Sequence, residues 1–182
     1  MIPVVKVLRN EFYEMIMTYT TANPNSELVQ SFRGLDVDQQ LALFWFIYTE
    51  MGKSITPAAP GASTVSPEIA EGLFNQVKEL SHEEQLQLQR DLIQGANTQL
   101  AREYGALGDT TKLLFWYRLA QGMDSGVIIP MPANYQLADE ANRLLEDIKG
   151  LDFSQQITLL RDIVSPMGVD PTAVELNSET GL

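Results

Sequence analysis

Apolar residues recur at helical spacing along most of the chain, and no stretch alternates as a strand would. Between residues 3 and 21, Val4, Val5, Leu8, Phe12, Met15 and Tyr19 fall about one turn apart, and the Asn23-Pro24-Asn25 turn closes that predicted helix. A short helix is expected from Ser26 to Arg33, stopping at Gly34. Asp36 is suited to cap the next helix, with Gln39 at the capping-box position, and that helix is expected to close at Gly52. Within it, Leu41 to Lys53 (LALFWFIYTEMGK) is apolar almost all the way round. A helix of that kind must be buried or line something apolar.

Ser54 to Val65 follows, with two prolines, one glycine and no charge. Surface loops are normally polar, so a stiff apolar loop suggests a wall. Ser66-Pro67-Glu68 starts a helix that runs to about Leu80. Ser81 and Glu84 form a capping box for another, which ends at Gly95. A short helix over Asn97 to Tyr104 follows, and a strong helix starts at Asp152, with Gln155 at its capping position, and ends near Met167-Gly168.

At a constant offset of 71 the chain repeats itself. Identities fall at Asp38/Asp109, Leu43/Leu114, Phe44/Phe115, Trp45/Trp116, Ala70/Ala141, Leu73/Leu144, Gln85/Gln156, Leu88/Leu159, Arg90/Arg161 and Asp91/Asp162. The charge-free loop has its own copy at Gly126 to Tyr135, GVIIPMPANY. An ungapped register of this length means two halves of related fold, packed about a pseudo-two-fold axis. The expected architecture is all-α: eight or nine helices in two packed bundles within one domain over residues 1–170, followed by a short polar tail over 171–182.

Composition narrows the function classes. The chain has 182 residues, no cysteine and a net charge of −12. Such acidity is a poor match for nucleic acid or anionic lipid. Lys6, Arg9, Glu11 and Glu14 interrupt the apolar N-terminus, so a cytoplasmic protein without a signal peptide is expected. The single histidine, His82, sits at a capped helix start beside Glu83 and Glu84, where acidic residues suit the helix dipole. There is no His/Cys cluster, phosphate loop or nucleophile elbow, so an enzyme is not expected. What is unusual is apolar: two aromatic helices, two charge-free loops and seven methionines, among which Met123 and Met131 suit an elongated ligand. Two related bundles meeting on an axis either close as a core or leave a tunnel. A rod on the order of 30 Å long would match a twenty-residue helix.

The segments DQQLALFWFIYTEMGKSITPAAPGA, LLFWYRLAQGMDSG, IPMPANYQLA and GLDFSQQITLLRDIVSPMG resemble, in order and spacing, the N-terminal helical domain of the cyanobacterial orange carotenoid protein family. The resemblance covers about residues 31 to 169 and is closest in kind to the stand-alone helical carotenoid proteins, paralogues of that domain. It implies two discontinuous four-helix bundles with a single keto-carotenoid (canthaxanthin, echinenone or 3'-hydroxyechinenone) held non-covalently in a tunnel between them. It also implies photoprotection, by quenching singlet oxygen or phycobilisome excitation, and a carrier resembling the family's C-terminal domain as a partner. The phycobilisome role would bring the protein to the thylakoid surface.

By the same resemblance, Tyr48 and Trp116 match the aromatic pair flanking one carotenoid ring, and Leu41, Phe44, Trp45, Pro60, Gly61 and Met123 match other wall positions. Met131, Phe44 and Pro57 each stand where the family has isoleucine. Arg161 matches the arginine that contacts the second domain and the phycobilisome; as the repeat mate of Arg90, it is equally suited to a plain surface salt bridge. Ser31 stands where the family has an arginine, with Arg33 nearby.

Overall fold

The computed structural model describes residues 24–55 and 67–172. The expected helix over 3–21, most of the first charge-free loop and most of the tail lie outside the described residues. The described elements are all helical: α1 (Pro24–Gly34), α2 (Val37–Ile55), α3 (Pro67–Lys78), α4 (His82–Gln94), α5 (Gln99–Gly105), α6 (Asp109–Ser125), α7 (Asp139–Gly150) and α8 (Phe153–Val164).

Helix ends follow their local chemistry. Ser81 accepts a hydrogen bond from the Glu84 N–H, and the Glu84 carboxylate accepts one from the Ser81 N–H. Asp152 and Gln155 repeat that reciprocal pair 71 residues later, at the start of α8. Such a cap is worth about 0.5–2 kcal/mol. Asp36 accepts from the N–H groups of Asp38 and Gln39, but the Gln39 side chain does not return the bond. It reaches instead across the molecule, donating to the Tyr135 hydroxyl at 2.8 Å and accepting from the Ala138 N–H at 2.9 Å. Helix α2 also runs three residues past Gly52, to Ile55.

The repeat is visible in packing. Offset by 71, α1 corresponds to α5, α2 to α6, α3 to α7 and α4 to α8. Contacts come in matching pairs: α3 on α6 with α7 on α2, α1 on α8 with α5 on α4, and α2 on α4 with α6 on α8. Helices α1 and α2 thus pack with α7 and α8, distant in sequence, while α3 to α6 pack among themselves. The two groups meet where α2 lies against α6 and α4, and where α6 lies against α8.

Repeat mates share the core. Ala70/Ala141, Leu73/Leu144, Val77/Ile148, Leu88/Leu159 and Leu92/Ile163 are all buried. Each large aliphatic among them contributes about 1.5–3 kcal/mol by leaving water. Two buried glutamines also repeat their bonds. Gln85 donates to the carbonyls of Val77 and Leu80, and Gln156 to those of Ile148 and Leu151, their counterparts. A buried amide has to be bonded, and here it ties the α3–α4 and α7–α8 turns in the same way.

Candidate functional site

The two aromatic helices meet through Phe44 of α2 and Trp116 of α6. Their rings stack 4.7 Å apart at 16°. Phe32 of α1 lies against the outer side of Phe44, with centroids 5.2 Å apart. Trp116 is buried, and its indole plane is fixed by a bond the sequence did not announce: Nε1–H donates to the Tyr104 hydroxyl at 2.8 Å. Tyr104 in turn donates to the Val164 carbonyl at 3.3 Å. Burial holds the Tyr104 phenol far above its ordinary pKa of 10, against the pull of the Trp116 bond. It therefore keeps its proton and serves both partners.

Lys112, also buried, donates to the carbonyls of Ser165 and Met167 at 2.6 and 3.2 Å and lies 5.2 Å from the Tyr104 ring centroid. Loss of water lowers its pKa, while Asp109 and Asp170 act in the opposite direction. It closes the open carbonyl end of α8. Neither Tyr104 nor Lys112 stands out in the sequence as a site residue. A lysine inside the apolar run KLLFW was the available sign.

Beside the stack lies an apolar pocket of about 40 Å³. Phe44, Tyr48, Gly52, Leu113, Trp116, Tyr117 and Leu160 are in its wall. Tyr48 meets Tyr117 edge-on at 5.6 Å, and loss of water raises its phenol pKa, aided by Asp124 and Tyr117. Gly52 leaves room for that ring: a Cβ here would stand 3.0 Å from the Tyr48 ring and press it outward. The expected helix stop is therefore a space-making residue within the helix. Trp45 is half-buried and tilts against Tyr48 at 5.8 Å, without reaching this pocket.

A second cavity, of about 210 Å³, lies between α2, α4, the end of α6 and the loop after it. Leu41, Ala42, Leu86, Gln89, Met123 and Met131 line it, with Pro130, Pro132 and Tyr135 from the loop and the Asp38–Arg90 pair. The loop is held from both sides. Gln85 accepts from the Ile129 N–H at 2.7 Å and donates to the Val127 carbonyl at 3.2 Å, while Gln39 holds Tyr135 and Ala138. Ile128 is fully buried beneath it. Arg90 grips Asp38 with Nε and Nη2 at 2.8 and 3.0 Å.

The expected site residues thus divide. Phe44, Tyr48 and Trp116 share the small pocket, and Leu41, Met123 and Met131 share the large cavity. Pro57, Pro60 and Gly61 lie outside the described residues. The alternative of a surface salt bridge for Arg161 is not realised among the described residues: Arg90 pairs with Asp38, but the buried Nε of Arg161 has no hydrogen-bond partner. Among these residues no cluster of His, Cys, Asp and Glu is arranged to hold a metal ion, and no helix is long and apolar enough to cross a membrane.

A family profile described as the orange carotenoid protein N-terminal domain matches residues 18–170. The chain belongs to that family. An orange carotenoid-binding domain-containing protein of Nostoc sp. PCC 7120 is 50% identical over 153 residues, 84% of this chain and 88% of the relative. The orange carotenoid-binding protein of Synechocystis sp. PCC 6803 is 43% identical over 140 residues, so the chain spans 44% of that relative's length. Among solved structures, the Red Carotenoid Protein of Anabaena (Nostoc) sp. PCC 7120 binding canthaxanthin is 66% identical with a TM-score of 0.73, covering 80% of this chain and 99% of that one. The same organism's Orange Carotenoid Protein binding canthaxanthin is 42% identical with a TM-score of 0.74, covering 85% and 48%. The all-helical orange carotenoid N-terminal fold expected from the sequence is therefore the fold of this chain.

Proposed function

We propose that the chain holds one keto-carotenoid without a covalent bond between its two repeats and uses it for photoprotection by quenching singlet oxygen. The observation that carries this reading is the aromatic wall where α2 meets α6, with Phe44 stacked on Trp116 and Tyr48 beside them, in a chain of the orange carotenoid family. The chemistry of that wall suits the group. It is apolar and aromatic, and Lys112, the buried lysine among the described residues, is turned away to two backbone carbonyls, those of Ser165 and Met167.

Tyr48, Phe44 and Trp116 would hold a ring by stacking and shape, and Leu41, Met123 and Met131 would continue the wall with polarizable groups. Burying roughly 600 Å² of such a ligand is worth on the order of 15 kcal/mol gross, at about 25 cal/mol per Å². Association costs remove much of this, and enough remains for tight binding. When bound, a conjugated polyene supplies a low-lying triplet state that accepts energy from singlet oxygen and sheds it as heat. The protein needs no reacting side chain for this. Its residues solubilise the pigment, exclude water and limit ring torsion.

The test is expression in a host that makes keto-carotenoids, followed by absorption spectroscopy and assay of singlet-oxygen lifetime. A folded, purified protein with no visible band overturns the reading. Quenching of phycobilisome excitation is a second reading, supported by Arg161, which engages no acid or carbonyl within the described chain. Loss of phycobilisome fluorescence on adding pigmented protein, reversed by Arg161→Glu, tests it. Transfer of pigment to a carrier resembling the family's C-terminal domain would be seen as colour moving on mixing.

A further inference from the structure

The 210 Å³ cavity is large enough for the end ring of an apolar ligand, since an apolar cavity of about 150 Å³ takes up benzene. Most of its wall is apolar, but two neighbouring residues of α4 are not. Gln89 is 4% exposed and faces this cavity rather than solvent. Its amide makes one bond, to the Gln85 carbonyl at 3.2 Å, and an amide nitrogen carries two hydrogens. Arg90 is next to it, with two of its five N–H groups engaged by Asp38. Tyr135, across the cavity, receives a bond from Gln39 through its hydroxyl oxygen, so its own hydrogen is available. The cavity is therefore lined by a buried amide with a spare hydrogen and by a phenol hydrogen, beside the partly exposed guanidinium of Arg90. The repeat mate of Gln89 is Leu160, which lines the small pocket, so the fold accepts an apolar residue at this position.

We infer that Gln89 and Arg90 make this cavity selective for an end ring bearing an oxygen. The oxygen would accept from the amide or the guanidinium, while a plain hydrocarbon ring would leave the second hydrogen of the buried Gln89 amide without a partner. The inference rests on the carotenoid reading above and assigns to that ligand its discriminating contact.

The test offers the purified pigment-free chain equal amounts of canthaxanthin, with a keto group on each ring, and β-carotene, with none, and extracts what is bound. The wild type should favour canthaxanthin over β-carotene by about tenfold more than the Gln89→Leu/Arg90→Met variant does, the size of one hydrogen bond to a polar or charged donor. Arg90→Met alone, changed at a partly exposed side chain, should move the ratio the same way by less. This keeps the test decisive if the double variant does not fold. A ratio that stays the same in every folded variant overturns the inference and leaves the carotenoid reading standing. A wild type that takes up neither pigment overturns both.

Discussion

The small pocket and the large cavity share three pairs of equivalent positions in the two repeats, yet one holds about 40 Å³ and the other about 210 Å³. Leu113 in the small pocket stands where Ala42 stands in the large one, Leu160 where Gln89 stands, and Gly52 where Met123 stands. The exchange of Ala for Leu narrows one side by a branched side chain. The exchange of Met for Gly would widen it, but the Tyr48 ring lies over Gly52 and fills that space. A repeated backbone has thus been given two different interiors by a few side chains: one aromatic and close-fitting, the other roomier and partly polar. A long ligand with two ends would meet a different environment at each.

Removing Trp116 should have the largest effect. Trp116→Ala deletes a buried ring stacked on Phe44 and leaves the Tyr104 hydroxyl without its donor, at a cost of about 3–5 kcal/mol in urea unfolding. Visible absorbance after expression with carotenoid should fall with it. Its repeat mate Trp45, half-buried and tilted against Tyr48, should cost only about 1–2 kcal/mol when truncated. Equal costs would mean that the two aromatic pairs are interchangeable, and that the contrast between the pockets lies elsewhere.

Exchanging side chains between repeats is the next test. Leu113→Ala should enlarge the small pocket and cost about 1–3 kcal/mol, because the half-buried side chain loses part of its burial and the surrounding helices relax only in part. Ala42→Leu fills existing space in the large cavity. It should leave stability within about 1.5 kcal/mol while reducing the amount of pigment retained. A destabilised Ala42→Leu variant would show that the cavity closes in solution.

Tyr104→Phe should cost about 1–3 kcal/mol, because Trp116 Nε1–H and the Val164 carbonyl each lose a buried partner. It should also change the alkaline limb of the pH–stability curve. In the unfolded chain this phenol ionises near pH 10, whereas burial keeps it neutral in the folded chain. Its contribution is complete below pH 10 and is lost above it, by about 1.4 kcal/mol per pH unit, as the unfolded chain releases a proton that the folded chain retains. Lys112 acts with the opposite sign. Its pKa is lowered by burial, so stability rises with pH up to its unfolded value of 10.5. The phenylalanine variant should therefore lose less stability than wild type between pH 10 and 11. A fall as steep as that of wild type would show that the phenol ionises freely when folded.

The repeat, the helices and the capping boxes were legible because each depends on residues close in sequence or on one constant offset. Ser81 with Glu84, and Asp152 with Gln155, needed no tertiary information. The aromatic pairs identified the two helices that meet. Sequence alone could not say that Phe44 would face Trp116 across the interface while Trp45 turned toward Tyr48, since equivalent positions in a repeat carry no label for their environment. Gln39 fitted a capping box by spacing, but a loop 96 residues away competed for its amide and won. Gly52 read as a helix stop because glycine is a breaker by propensity, and here close packing against Tyr48 outweighed propensity. Tyr104 and Lys112 were missed for a related reason. Their partners are backbone carbonyls at the end of α8 and a tryptophan one helix away, and no local pattern encodes those.

The smallest effects should come from the two arginines related by the repeat, and they test whether the halves differ at the surface as they do inside. Arg90 makes a bidentate pair with Asp38, but the two side chains are 33% and 51% exposed. Exposed pairs typically return about 0–1 kcal/mol, because solvent screens the charges and two long side chains must be ordered. Arg90→Ala should therefore cost no more than about 1 kcal/mol. Arg161 has no such pair, and its Nε is buried without an acceptor, so the folded state already bears the cost of an unmet donor. Arg161→Ala should be neutral or slightly stabilising in the isolated chain, measured by urea unfolding side by side with Arg90→Ala. If Arg161→Ala proved the more destabilising of the two, Arg161 would have an internal partner in solution, and a role in contacting another protein would lose its support. If it is neutral in isolation but abolishes quenching of phycobilisome fluorescence, the unmet donor is one that a partner satisfies.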